Sequence, residues 1–124
     1  MYDEPDQYFG HLNFELLRAA RLVVDTGLHA QGWTRERAIT YLRDTLGETE
    51  EGAKSAIERY MAWPAQALAY KVGSLKIMEL RERAATALGT KFSLPAFHAV
   101  VLGEGAMPLA ILEAKVDRWI AASK

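Results

Sequence analysis

Cysteine is absent from the 124 residues, which excludes disulfides, thiolate catalysis and cysteine-ligated metal sites and leaves the redox compartment unmarked. Charge of one sign is missing as well. Fifteen basic residues stand against 16 acidic ones, so neither nucleic acid nor an anionic membrane is favoured as a partner. No uninterrupted apolar run approaches the roughly 20 residues of a membrane span. The opening MYDEPDQYFGH is acidic and has neither a basic n-region nor an apolar h-region, so no signal peptide is read there and the chain as written is expected in the cytoplasm. GEGAMP near the C-terminus lacks the strand and the Lys or Ser of a phosphate-binding loop. No serine has a base near it: Ser55, Ser74 and Ser93 read as surface, core and cap residues.

What is present is helical patterning. Half of the residues are hydrophobic and a quarter charged, enough at this length for one modest core, so residues 1–124 are expected to form a single helical domain. From about Tyr8, apolar residues recur at helical spacing through Phe9, Leu12, Leu16, Ala20 and Val24, with Gly27 placed as the left-handed residue after the helix. Thr34 predicts an N-cap for a short second helix that Gly47 ends, and Thr49 predicts another, followed by acidic residues where the helix dipole favours them. Trp63-Pro64 breaks the chain before a long helix over about Ala65–Leu88. Its apolar character nearly all round as far as Met78 predicts a central helix buried in its first half and emerging into water in its second. Ser93 caps a short helix and Pro108 opens the last one. No period-2 alternation appears, and the fold class expected is all-α with five to six helices.

Three histidines, His11, His29 and His98, have no pair at the i, i+4 spacing that puts two imidazoles on one helix face, so a zinc site made by this chain alone is not expected. His11 and Glu15 have that spacing, but two ligands do not hold zinc, and a solvated surface pair is the stronger reading. In RAARLVVDTGLH, Arg21 lies one turn before Asp25 and His29 one turn after it. Such a pair could orient His29 or an anionic ligand group, while the bland alternative is a structural salt bridge with a loop histidine.

The long helix poses a sharper question, because Gln66, Tyr70 and Lys71 interrupt its apolar run. Burying such groups unpartnered costs roughly 1–3 kcal/mol each. Gln66, Tyr70, Gly73 and Ile77 share a face, and Gly73 lets another backbone or a ligand come close. A Tyr hydroxyl and a Gln amide one turn apart suit hydrogen bonding to a peptide or a developing oxyanion. Equally, the two could satisfy a neighbouring helix while Lys71 snorkels to water. Spacing leaves these readings balanced.

RAARLVVDTGLHAQGWTRERAITYL, RYMAWPAQALAYKVGSLKIMELRERA and KFSLPAFHAVVLGEGAMPLAILEAKVDRWI together resemble the C-terminal part of the bacterial family called domain of unknown function 885. Full-length members resemble gluzincin-type zinc metallopeptidases, long helical proteins whose metal is implied to sit on an HExxH helix and a downstream glutamate. This chain contains no HExxH. The resemblance therefore implies a C-terminal, substrate-cleft-forming lobe that is not catalytic alone, with zinc implied for the full-length members and no cofactor held here. By the same analogy, Tyr70 and secondly His29 would contact substrate or oxyanion, with Gln66, Lys71, Arg21 and Asp25 as substrate-binding neighbours.

The implied partners are an N-terminal metal-binding lobe, or a second copy through an exposed apolar face, with a peptide-like substrate in the longer proteins; export of those relatives stays open. Two alternatives stand beside this expectation. One is a free-standing helical interaction or ligand-binding module without enzymatic activity. The weaker one is an active hydrolase with a metal bound between subunits through His11, His29 or His98.

Overall fold

The computed structural model describes residues 3–124. Among them the chain forms six α-helices and a single 3-10 turn, with no strand, as the periodicity predicts. The helices are α1 (Pro5–Ala30), α2 (Arg35–Leu46), α3 (Glu50–Ala62), α4 (Gln66–Leu88), α5 (Leu94–Leu102) and α6 (Leu109–Ser123), with the 3-10 turn at Gly89–Lys91. Where composition implies one domain, the contacts group into two compact units, Met1–Val72 and Gly73–Lys124. α4 contributes its first residues to one and the remainder to the other.

Helix ends that depend on local chemistry lie where the sequence places them. The Thr34 hydroxyl accepts the Arg37 N–H at 3.1 Å and Thr49 accepts that of Gly52 at 3.1 Å, each satisfying one of the amides that a helix leaves unpaired at its start. Ser93 accepts the Ala96 N–H at 3.4 Å. Gly47 closes α2 in the left-handed region at φ 68°. Gly27 behaves differently from the expectation: it lies inside α1, buried, and the helix runs three residues beyond it. The left-handed residue after the helix is Gly32, at φ 65°. Its turn brings the Trp33 N–H back to the Gly27 carbonyl at 2.9 Å, and a Cβ on Gly27 would stand 2.5 Å from the Trp33 ring. Gly27 is thus a seat for an indole rather than a helix stop.

In the first unit, α1, α2 and α3 pack on one another around Val24, Ile39, Leu42, Ile57 and Tyr60. Ala20, Ala38, Ala53 and Ala67, all buried, let the helices approach closely. Trp33 and Tyr41 meet edge to face beside this core, ring centroids 5.5 Å apart. The second unit has its own core. Leu80, Ala84 and Leu88, one helical face of α4, meet Phe97 of α5 and Leu112, Val116 and Ile120 of α6. Outside it, Arg83 forms ion pairs with Glu79, Glu113 and Asp117, and Lys76 with Glu79 and Glu113.

Burial along α4 reverses the expectation. In its first half Ala67 is buried, but Tyr70, Val72, Leu75, Ile77 and Met78 are exposed, and the deep positions Leu80, Ala84 and Leu88 belong to the charged second half. The N-terminal half of α1 likewise leaves Phe9, Leu12 and Leu16 exposed, Phe9 by 70%. An apolar pattern records which side chains favour leaving water, not which neighbour covers them.

Gly27→Ala is expected to lower stability by about 1–3 kcal/mol, since the indole must leave its seat. Urea unfolding of the two proteins tests this, and an unchanged midpoint would refute the steric account.

Candidate functional site

The polar residues singled out on α1 and α4 lie in the first unit, and most of them come together. Asp25 is its one buried charged side chain among the described residues, 1% exposed. Its carboxylate does not pair with Arg21. One oxygen accepts the Ala65 N–H at 3.1 Å and the other the Ala67 N–H at 3.2 Å. The segment Trp63-Pro64-Ala65 offers no side chain able to cap α4, so the cap comes from α1, forty residues away in sequence. Two charge-assisted bonds and the positive end of the α4 dipole offset the desolvation of the carboxylate. The geometry also holds Ala65 at φ 66°, a left-handed conformation that costs a residue with a Cβ about 1–2 kcal/mol.

With Asp25 so engaged, Arg21 turns to the start of α4. Its guanidinium donates to Gln66 Oε1 at 3.0 Å and lies over the rings of Tyr70 at 4.6 Å and Tyr60 at 5.4 Å. Arg59 donates to the same oxygen at 3.2 Å and stacks on the Tyr60 ring at 4.6 Å. The Gln66 amide in turn donates to the Tyr70 hydroxyl at 3.1 Å. Gln66 is half-buried and Tyr70 is 48% exposed, so the desolvation problem posed by polar groups in an apolar run largely dissolves: these side chains occupy a face open to water. Arg21 Nε is buried without a hydrogen-bond partner.

Two expected members stand apart from this cluster. Lys71 pairs with Glu15 at 2.8 Å, and that ammonium, by hydrogen bond and by charge, holds the Glu15 carboxyl below its usual range. His29 meets the Tyr60 carbonyl through Nε2 at 3.0 Å, which makes that nitrogen the donor. Tyr60 and Arg59 are members of the cluster to which the sequence did not point: Tyr60 belongs to the buried face of α3 and Arg59 is exposed. Gly73 has open space beside it, with no atom within 4 Å of where a Cβ would stand. A separate concavity of about 650 Å³ is lined by Val23, Trp33, Arg37 and Tyr41, with Arg37 lying over the Trp33 ring at 4.2 Å. Its one cation is stacked rather than converging on a common point, as the arginines at Gln66 do.

The donor chemistry of a zinc site is not assembled. His29 is turned to a backbone carbonyl, Asp25 to two amides and Glu15 to Lys71. Among the described residues no three His, Asp or Glu side chains stand together as metal ligands, and no helix is long and apolar enough to cross a membrane.

The family model for a bacterial protein of unknown function, DUF885, matches residues 1–116. A crystal structure from Colwellia psychrerythraea, described as that of a "putative lipoprotein", is 53% identical and superposes with a TM-score of 0.93 over 98% of this chain. The match covers 21% of that longer chain, so the present chain spans about a fifth of its relative's length. None of the curated proteins matches.

Asp25→Ala is expected to cost about 2–4 kcal/mol, because it removes a helix cap and strands two amides. Ala65→Gly should instead stabilise by roughly 0.5–1 kcal/mol through relief of the left-handed conformation. Thermal unfolding reads both, and a stable Asp25→Ala protein would overturn the assigned role of the carboxylate.

Proposed function

The chain belongs to the bacterial family DUF885, and on that premise we propose that it is a C-terminal, cleft-forming lobe of a metallopeptidase-like protein, not catalytic by itself. The observation that carries this reading is the convergence of Arg21, Gln66 and Tyr70 on a water-facing surface at the start of α4, anchored from beneath by Asp25. A hydroxyl and an amide held in fixed register by two arginines suit a substrate backbone or a developing oxyanion.

The exposed apolar side chains of α1 and α4 fit a lobe that longer family members cover with further chain. Tyr8, Phe9, Leu12 and Phe14 on α1 and Val72, Leu75 and Met78 on α4 are such positions. The solved relative, of which this chain spans a fifth, is long enough to supply that cover. The same faces would serve a free-standing interaction module, the second reading, in which a partner protein or a second copy takes the place of the rest of the longer chain.

In the proposed lobe, Tyr70 donates to the oxyanion and His29 is the second candidate. Gln66 and Arg21 orient the substrate, Lys71 keeps the adjoining turn of α1 in place through Glu15, and Asp25 fixes the start of α4 that carries Gln66 and Tyr70. Zinc, as a Lewis acid and a source of activated water, belongs in this proposal to a part of the longer proteins outside this chain, whose own residues do not fit it. The cytoplasm remains the proposed compartment for the chain as written; recovery of the native protein with the cell envelope would decide against it.

Tyr70→Phe, placed at the matching position of a longer family member, tests the role. With zinc-dependent peptide hydrolysis as the readout, turnover is expected to fall about 10²–10³-fold, equivalent to roughly 2.7–4 kcal/mol, with little change in stability. Unchanged turnover would remove Tyr70 from the mechanism. A longer member with no such hydrolysis at all would remove the metallopeptidase-like reading.

A further inference from the structure

Arg21 and Arg59 reach one neutral oxygen from two different helices. Gln66 Oε1 accepts from Arg21 at 3.0 Å and from Arg59 at 3.2 Å. An amide oxygen between two guanidinium groups carries only a partial charge where a full one would bind both more strongly, since charge-assisted bonds are about twice as strong as those to neutral acceptors. Among the described residues no carboxylate takes that place. Among the described residues neither arginine is in an ion pair, although Arg35, Arg43 and Arg83 all are. Asp25, one turn from Arg21 on α1, has both oxygens turned to the amides of Ala65 and Ala67.

The buried Nε of Arg21 is a further donor without an acceptor. Orphaned buried donors are uncommon in native proteins and ask for an explanation. The walls of the site are aromatic: the Tyr60 ring is shared by both guanidinium groups, and the Tyr70 ring, half open to water, lies against Arg21. The Gln66 side chain sits half-buried on the first residue of α4, held by these donors and by the Tyr70 hydroxyl. Rotation about its side-chain torsions would vacate the oxygen's position without disturbing the backbone that Asp25 caps.

We propose that Arg21 and Arg59 form a carboxylate-binding site in which Gln66 Oε1 is a displaceable stand-in, and that the ligand is a small monocarboxylate bearing an apolar group that lies on Tyr70. The guanidinium pair recognises the charge and the Tyr70 ring the substituent. This deepens the cleft reading by giving the cleft an anionic ligand group, and it rests on that reading only for its biological setting; the binding itself belongs to this chain alone.

Titration of the isotope-labelled chain, followed by NMR, tests the proposal without any activity assay, so its failure is separable from failure of the peptidase-like reading. The probes are N-acetyl-L-phenylalanine, benzoate, N-acetyl-L-phenylalanine amide and inorganic phosphate. The expected result is saturable shifts at Arg21, Arg59, Gln66 and Tyr70 with either carboxylate, and at least tenfold weaker binding of the amide and of phosphate. Tighter binding of N-acetyl-L-phenylalanine than of benzoate assigns the site to peptide C-termini, and the reverse order assigns it to free aryl carboxylates.

Two variants complete the test. Gln66→Glu supplies an internal carboxylate, so it should raise the melting temperature and weaken the added carboxylate at least tenfold. Arg59→Gln, on an exposed position, should leave the fold intact and weaken binding to a similar extent. Absence of saturable binding below about 10 mM, equal binding of the amide or of phosphate, or wild-type binding by Gln66→Glu would each overturn the proposal.

Discussion

The first unit depends on one carboxylate. α4 starts at a point where the local sequence, Trp63-Pro64-Ala65, has no side chain able to accept an amide hydrogen, and a helix begun there would leave donors unpaired in a partly buried setting. Asp25 supplies both acceptors from α1 and is itself stabilised by the amides and by the end of the helix dipole. Because both of its oxygens are engaged, it does not neutralise Arg21 one turn away. The guanidinium is then free to reach Gln66 and to lie on Tyr70. The structural role of Asp25 and the availability of Arg21 are therefore the same fact seen from two sides.

Local chemistry was legible in the sequence and long-range chemistry was not. Thr34, Thr49 and Ser93 each cap the helix that follows within three residues, and Gly47 ends α2 in the left-handed region, so the information needed to place those ends lies in a few adjacent residues. Gly27 looked like such an end and is not one, since its constraint is the Trp33 ring folded back on it through the turn at Gly32. Asp25 looked like the i, i+4 partner of Arg21, and helical spacing alone favours that pair. Two unpaired amides at the start of another helix are a stronger claim on a buried carboxylate than one flexible guanidinium, and nothing near Asp25 in sequence announces them.

The same limit applies to burial. α4 carries apolar side chains nearly all round through its first half, a pattern that in isolation means a helix enclosed on every side. Within this chain the fully buried positions of α4 are few, Ala67 in the core of the first unit and Leu80, Ala84 and Leu88 in that of the second. Periodicity identified the helix and its length because both follow from side chains on the helix itself. The identity of the covering surface is a property of other chain segments, and a relative about five times as long supplies the scale on which that cover could be found.

Of the candidate site, Gln66 and Tyr70 were legible as polar residues one turn apart on one helix, but the partners read for them were a ligand or a neighbouring helix, whereas the Gln66 amide donates to the Tyr70 hydroxyl itself. Arg59 was not legible, because its approach to Gln66 depends on how the break at Trp63-Pro64 folds α3 back toward the start of α4. That break decides the chemistry of the site. With Arg21 alone, the cluster would be an ordinary cation–amide contact satisfied by packing. With Arg59 on the same oxygen, two positive charges face one neutral acceptor, and Lys71, which could have added a third, is held away by Glu15. The result is a local excess of positive charge on a chain whose overall charge is close to balance. Such an excess is stable here because aromatic faces and water share its solvation, and it is the electrostatic condition under which an incoming anion gains most by replacing an amide.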